Sequence, residues 1–253
     1  MTKNDVKEIQ ALKQAKGRKE RGIFAVEGNK LVEELINSKF RVNNIFATEV
    51  WVEKNPVLAK KIADYEVITP KQMEQISNFV TPPGVFATAM MPKYKIEPKD
   101  TENQLVLLLD GINDPGNLGT IIRTADWFGI RHIVCSPDCV EFYNPKTIQA
   151  TMGSFTHVCM HKRPLATFLE QESSHRRILG TFLNGESIGH FDFQSSDIVV
   201  IGNESNGISP EVAATVTHRI TIPSASQGLD TAESLNAAVA AAVVMFQWRG
   251  VGC

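Results

Sequence analysis

The 253-residue chain sets 26 lysines and arginines against 28 aspartates and glutamates, for a formal net charge of -2, and 43% of its residues are hydrophobic. That is an ordinary globular composition with ample material for a core, and its charge alone says nothing for a nucleic-acid partner. Four cysteines (Cys135, Cys139, Cys159 and Cys253) are too few and too scattered for a disulfide framework, and no Cys/His pair completes a zinc site around Cys135 and Cys139, so buried or free thiols and no metal are expected. The longest apolar run, the Ala/Val stretch 237 to 246, is about half of the ~20 residues a membrane helix needs. The start, MTKNDVKEIQ, lacks an apolar signal core, so a soluble, cytoplasmic protein is expected.

In chain order, the first 22 residues are basic: lysines and arginines at 3, 7, 13, 16, 18, 19 and 21 outnumber Asp5, Glu8 and Glu20. Such a run is either a solvated helix face or an arm that contacts phosphates, and composition by itself favours the former. Up to about residue 91, helical patterns (VKEIQALKQA, NKLVEELINS, VLAKKIADY, KQMEQISNF) alternate with short apolar runs (NNIFAT, EVIT, GVFATAMM), which predicts a small α/β unit. Residues 92–104 hold two prolines and many charges without apolar periodicity, as a linker would. From 105 to 253 the runs LVLLLD, RHIVCS, RILGTFL, DIVVIG and RITIP read as strands apolar on both faces. These predict a mainly parallel sheet covered by helices, whose ligands bind beyond the carboxyl ends of the strands, in the loops after Leu109, Leu183, Gly202 and Ile222.

Three of those loops carry chemistry. DGINDPGNLG, 110 to 119, matches neither a P-loop nor a dinucleotide fingerprint, which argues against a nucleotide-dependent oxidoreductase. Asn117 reads as the N-cap of a helix beginning at Leu118, with Gly129 as its stop. At roughly 100° per residue, Leu118, Ile121, Ile122, Ala125 and Phe128 share one face. Arg123 points nearly opposite, one turn after the bare Gly119, and an exposed Arg123/Asp126 pair is the plainer alternative. In DIVVIGNESNGISPEV, Gly202 and Gly207 bracket Glu204 and would let the backbone approach a flat ligand, or simply make a polar turn before a helix starting at Ser209 and Pro210. RITIPSASQGLDTAESLNAAVAAAVVMFQWR leads into an Ala-rich helix, apolar nearly all round and hence expected to be buried, with Ser234 and Asn236 at its mouth and Asp230 or Thr231 as candidate caps.

Together NxGxxxR (Asn117, Gly119, Arg123), GNExxG (Gly202, Asn203, Glu204, Gly207) and IP…ESLNxAVA (Ile222, Pro223, Ser234, Leu235, Asn236) resemble the three motifs of the SpoU/TrmH-type RNA 2'-O-ribose methyltransferases of the SPOUT class, across residues 105 to 249. RKERGIFAVEGNKLVEELI, 18 to 36, resembles the small RNA-binding domain, akin to a ribosomal-protein fold, that many of these enzymes carry in front. The stretch SASQGLDTAE between Pro223 and Ser234 is longer and more polar than in many relatives.

The resemblance implies an α/β fold: residues 1–91 form the RNA substrate-binding domain and 105–253 a methyltransferase domain with a deep trefoil knot. It also implies a homodimer that completes each active site across its interface, and S-adenosyl-L-methionine as cofactor. By position, cofactor contacts fall on Gly202, Asn203, Gly207, Ile222 and Leu235, and on Thr181, Asn184 and Gly185 after the RILGTFL strand. Asn117, Arg123, Glu204, Ser234 and Asn236 form the catalytic polar cluster, with Arg123 holding the ribose or its phosphate, or taking the proton of the 2'-hydroxyl. Beside such a domain the arm KQAKGRKER becomes an RNA-backbone contact through Lys13, Lys16, Arg18, Lys19 and Arg21, while Phe24 and Phe40 belong to the core. The substrate implied is 23S ribosomal RNA, with transfer RNA or a non-catalytic RNA-binding assembly factor as alternatives.

Overall fold

The computed structural model describes residues 1–96, 98–101, 104–172, 175–225 and 232–250, the backbone only at 98 and 99. The chain divides into two compact units, one made of Met1–Lys93 with Glu141–Thr156, the other of Tyr94–Val140 with the chain from His157 onward. Residues 141–156, which lie inside the span expected to form the methyltransferase domain, pack with the first unit.

In the first unit the alternating patterns give α1 (Lys3–Ala11), α2 (Ala15–Arg21), β1 (Ile23–Glu27), α3 (Asn29–Ile36), β2 (Val42–Ala47), α4 (Glu49–Lys54), α5 (Pro56–Lys61), β3 (Glu66–Val67), α6 (Pro70–Ile76) and β4 (Val85–Met90). The sheet runs β1-β4-β2-β3, with β4 antiparallel to both β1 and β2. Ala25, Phe46 and Phe86 from the strands meet Ile9, Met73 and Ile76 from the helices in its core. Phe24 is fully buried, and its ring meets Phe40 at 5.7 Å, Tyr143 at 4.5 Å and Phe155 at 6.0 Å, so segment 141–156 completes an aromatic cluster.

The same segment claims Arg18. Its side chain is only 2% exposed, with Nη1 donating to the Leu12 carbonyl at 2.6 Å and the Nε and Nη2 fork closing on the Glu141 carboxylate. Arg18 therefore does not belong to the phosphate-contacting set: a guanidinium this far from water, with its fork on a carboxylate, is a structural cation. The helical register explains it, because Gly17 and Arg18 lie on the face of α2 turned toward α1, where even a Cβ at Gly17 would fall 2.0 Å from the Ala11 carbonyl oxygen.

The second unit comprises α7 (Pro98–Thr101), β5 (Val106–Leu109), α8 (Pro115–Trp127) and β6 (His132–Cys135). After α9 (Pro145–Ala150) in the first unit, the chain returns as β7 (Cys159–Lys162), α10 (Leu165–Glu172), β8 (Ile178–Ser187), β9 (Ile198–Ile201), α11 (Pro210–Ala213), β10 (His218–Thr221) and α12 (Ala237–Gly250). The sheet order is β10-β8-β9-β5-β6-β7 and every neighbouring pair is parallel. All four positions of β5 and of β9 are buried, the pattern of strands covered on both faces. The chain builds outward from β5 through β6 to β7 and then crosses back to the other side, so the order reverses between β5 and β9. Ligands of such sheets bind at that reversal.

Three expectations change here. α8 starts at Pro115 rather than Leu118, because proline is pre-set for a first helical position and Asp114 caps the helix by accepting from the Asn117 amide at 2.7 Å. α12 is not buried all round, since Val239 and Phe246 are 49% and 61% exposed, as is Trp127 of α8 at 85%. The strand expected at 177–183 continues to Ser187, but β10 advances one residue, from Arg219 to Ile220, while its partners on β8 jump from Gly180 to Glu186. Thr181–Gly185 thus leaves the ladder as an excursion at the carboxyl end of the sheet. Asp230 and Thr231, and part of the path on which the expected knot depends, lie outside the described residues.

At the opposite sheet edge, His132 Nδ1 of β6 and His161 Nε2 of β7 stand 3.2 Å apart with rings 16° from parallel, and Tyr94 presents an edge to His161. Burial holds His132 below the ordinary imidazole value of 6.5, and burial plus repulsion from His132 and Arg163 brings His161 down to about 4. Between these values the unfolded chain binds protons that the folded one refuses, so stability contributed by the pair is lost as pH falls from about 6.5 to about 4. Chemical denaturation across that range should show this slope in the wild type and a flatter one in His161→Gln.

Candidate active site

The loop leaving β5 is fastened from both sides. Asp110 Oδ2 accepts from the Ser209 amide at 2.7 Å, the Gly111 amide donates to Ser136 Oγ at 2.9 Å, and the Ile112 amide donates to Cys139 Sγ at 3.2 Å. Gly111 takes φ +69°, which glycine adopts without strain. The loop after β9 closes on itself: Asn203 and Gly207 exchange backbone hydrogen bonds of 2.9 and 2.8 Å, and Asn203 Oδ1 accepts from the amides of Ser205 and Asn206. Asn203 Nδ2 then donates to the Gly111 carbonyl at 2.8 Å, joining the β9 loop to the β5 loop.

These contacts reassign two glycines. A Cβ on Gly202 would lie 2.3 Å from the Gly207 carbonyl carbon, so this glycine is needed for the loop to fold back, whatever ligand comes near. Gly185 closes the β8 excursion, where a Cβ would sit 2.6 Å from the Arg219 carbonyl oxygen, and it does not line the cavity described below.

Asn117 from the first turn of α8, Glu204 from the loop after β9 and Asn236 from the mouth of α12 come together. Asn236 Oδ1 accepts from the amides of Ala238 and Val239 at 3.0 and 3.3 Å and so caps α12 itself. That leaves its Nδ2 to donate to Asn117 Oδ1 at 3.0 Å, which turns the Asn117 amide so that its Nδ2 donates to Glu204 Oε1. The direction of the whole array follows from its first member, because a backbone N–H admits only an acceptor and each side-chain amide has one oxygen and one nitrogen.

Beside the array a cavity of about 450 Å³ opens at the carboxyl ends of β8, β9 and β10, within the range of small-molecule sites. Of the expected cofactor contacts it is lined by Thr181, Asn184, Gly202, Asn203, Gly207, Ile222 and Leu235, and of the expected polar cluster by Glu204 and Ser234. Ile201, Ile208, Ala237 and Ala240 add apolar wall. Among the lining residues that the sequence does not single out are Phe182 and Arg219; the signal for the second is a lone cation in the strand-like run RITIP.

Arg123 stands apart from the array. It is exposed on α8 while Leu118, Ile121, Ile122 and Ala125 of the same helix are buried, and it has no hydrogen-bond or ion-pair partner among the described residues. The alternative pairing with Asp126 does not form: that carboxylate faces His157 Nδ1 at 3.0 Å and Arg131 Nη1 at 3.5 Å. Of the basic arm, Lys16 is well exposed with only a 3.9 Å contact to Glu20, and Lys19 is exposed. Lys13 Nζ donates to the Ser77 carbonyl and Arg21 pairs with Glu8. No group of His, Cys, Asp and Glu among the described residues could hold a metal ion.

Replacing Asn236 by alanine removes both the helix cap and the fixed direction of the array. The expected cost is about 1 kcal/mol in chemical denaturation. Asn236→Asp keeps a cap oxygen and should recover most of that stability without restoring the donor to Asn117, which NMR would register as a shifted Asn117 side-chain amide signal in both variants.

Residues 104–246 match the SpoU rRNA Methylase family and residues 3–87 the MRM3-like substrate binding domain. An uncharacterized tRNA/rRNA methyltransferase of Synechocystis sp. is 33% identical over 96% of this chain and 90% of its own. A 23S rRNA (guanosine(2553)-2'-O)-methyltransferase of Bacillus subtilis is 29% identical over 97% of this chain and 96% of its own. The crystal structure of an AdoMet-bound rRNA methyltransferase from Sinorhizobium meliloti, 28% identical, aligns with a TM-score of 0.84 over 100% of this chain and 97% of that one. With more than half of its length matched by the family and a 33%-identical relative matched over nearly all of it, the chain belongs to the SpoU rRNA Methylase family.

Proposed function

We propose that the protein methylates a ribose 2'-hydroxyl of 23S ribosomal RNA, using S-adenosyl-L-methionine bound in the cavity of the second unit. The observation that carries this reading is the cavity itself, set at the carboxyl end of the parallel sheet and flanked by the Asn117–Glu204–Asn236 array. Its walls suit the cofactor: Ile201, Ile208, Ile222 and Leu235 offer apolar surface to a purine, and Glu204 supplies a carboxylate to a cationic group. When bound, the cofactor supplies a methyl group on a sulfonium, the electrophile of an in-line displacement. Support for RNA comes from the family and for 23S rRNA from the Bacillus subtilis relative; transfer RNA is the alternative substrate.

The chain's own residues must then align the 2'-oxygen and ease the loss of its proton. Arg123 presents a guanidinium with no protein partner among the described residues, and its planar fork suits a phosphate and the oxygen beside it. A guanidinium keeps its proton in ordinary surroundings, so Arg123 serves first by holding the ribose and by countering charge that develops on the oxygen. Asn117 and Asn236 keep Glu204 oriented, and Ser234, exposed at the mouth of α12, completes the cluster.

Residues 1–91 serve as the RNA-presenting domain, with Lys16 and Lys19 as its phosphate contacts and Lys13 and Arg21 as lesser ones. The exposed Val239, Phe246 and Trp127 form the face of a homodimer that acts in the cytoplasm, where ribosomal RNA is found.

Ribose-methylation mapping of total RNA from cells with and without the gene should reveal one lost 2'-O-methyl site, in 23S rRNA; an unchanged map would sink the proposal. In purified protein, Arg123→Lys should lower turnover by about 100-fold while leaving RNA and cofactor affinity near wild type. Near-normal turnover would reduce Arg123 to a point charge. Charge reversal at Lys16 and Lys19 together should weaken RNA binding and reduce the slope of affinity against salt, and an unchanged slope would return the arm to a solvated helix face.

A further inference from the structure

Among the described residues, two charged side chains line the cavity, and they carry opposite signs on different loops: Glu204 after β9 and Arg219 on β10. Glu204 is already turned by Asn117. Arg219 is held in a second way, with its guanidinium carbon 3.8 Å from the centre of the Phe182 ring and its Nη2 donating to Asn184 Oδ1 at 3.2 Å. Phe182 and Asn184 both belong to the excursion that leaves the β8 ladder, so this irregularity fixes the plane and direction of the fork. The remaining guanidinium N–H groups have no partner among the described residues. A guanidinium stacked on a ring and tethered at one nitrogen has lost much of its rotational freedom before any ligand arrives, which is the arrangement that favours a planar, two-oxygen acceptor.

We propose that Arg219 binds the α-carboxylate of the cofactor's amino-acid portion, with Phe182 and Asn184 as its positioning residues. This rests on the reading of the cavity as the S-adenosyl-L-methionine site. The amino-acid portion is a zwitterion with a cationic sulfonium nearby, so a cavity with one fixed cation and one fixed carboxylate orients it in a single sense: carboxylate to Arg219, cationic groups toward Glu204. The product S-adenosylhomocysteine keeps the carboxylate and is held by the same contact, whereas 5'-methylthioadenosine, which lacks the amino acid, is not. Arg219 thereby selects intact cofactor and product over the truncated nucleoside.

Isothermal titration of the full chain with these three compounds tests the assignment. Arg219→Met keeps an apolar stem over Phe182 and removes the charge; it should raise Kd for S-adenosylmethionine and S-adenosylhomocysteine by about 10- to 100-fold and leave 5'-methylthioadenosine unchanged, the last also reporting that the cavity is folded. Arg219→Lys should fall between the two. Equal weakening of all three compounds, or of none, would overturn the assignment, as would a variant that binds all three normally but has lost RNA affinity, which would place a phosphate on the fork. A wild type that binds none of the three would overturn the cofactor reading itself.

Discussion

The polar array beside the cavity depends on the single orientation of the Asn236 side chain. Its oxygen is committed to the first turn of α12 and its nitrogen is therefore committed to Asn117, whose own nitrogen is committed to Glu204. One helix end, which must find acceptors for its free amides in any case, thus sets the rotamer of a carboxylate two loops away. A neutral amide can transmit direction this way because its two ends differ; a carboxylate or ammonium at the same position could not.

Around that array the cavity is made by departures from regular structure, each supported by a specific contact. The β8 excursion is held by Arg219 on Phe182 and by Gly185, whose bare backbone closes on the Arg219 carbonyl. The β9 loop is held by the paired backbone of Asn203 and Gly207 and by the absence of a side chain at Gly202. The strands beneath are buried throughout, so the loops can be irregular without endangering the sheet.

What is legible in the sequence follows from which features are local. The unbroken apolar runs announce a parallel sheet and the loops after its strands, and the three motifs announce which loops matter, since both signals sit in short stretches of chain. The start of α8 differs by three residues from the expected one because Asn117 and Asp114 are both good caps, and only Pro115 between them decides. Arg18 does not betray its role because its partner Glu141 is 123 residues away, a distance no periodicity bridges. The β8 excursion is hidden for a like reason: RILGTFL looks like strand throughout, and only pairing with β10 shows where the ladder is abandoned. Gly202 and Gly207 stand out in the sequence as a pair that would admit a ligand; the structure places both on the cavity wall and also uses them to fold the loop onto itself, which no local pattern announces.

The position of Arg123 gains its meaning from α8 as a whole. Asn117 and Arg123 are six residues apart on one helix, which separates them by about 9 Å along the axis and turns them to different faces. The early residue is tied into the array beside the cavity, and the later one is exposed and unpaired among the described residues. The proposed methyl transfer would use this division, since donor and acceptor have to be gripped separately and yet held at a fixed spacing. Burying Leu118, Ile121, Ile122 and Ala125 fixes α8 against the sheet and with it the spacing between Asn117 and Arg123. A guanidinium left in water pays no desolvation cost until a phosphate or ribose meets it, so the exposure of Arg123 is the arrangement that the proposed role in holding the substrate calls for.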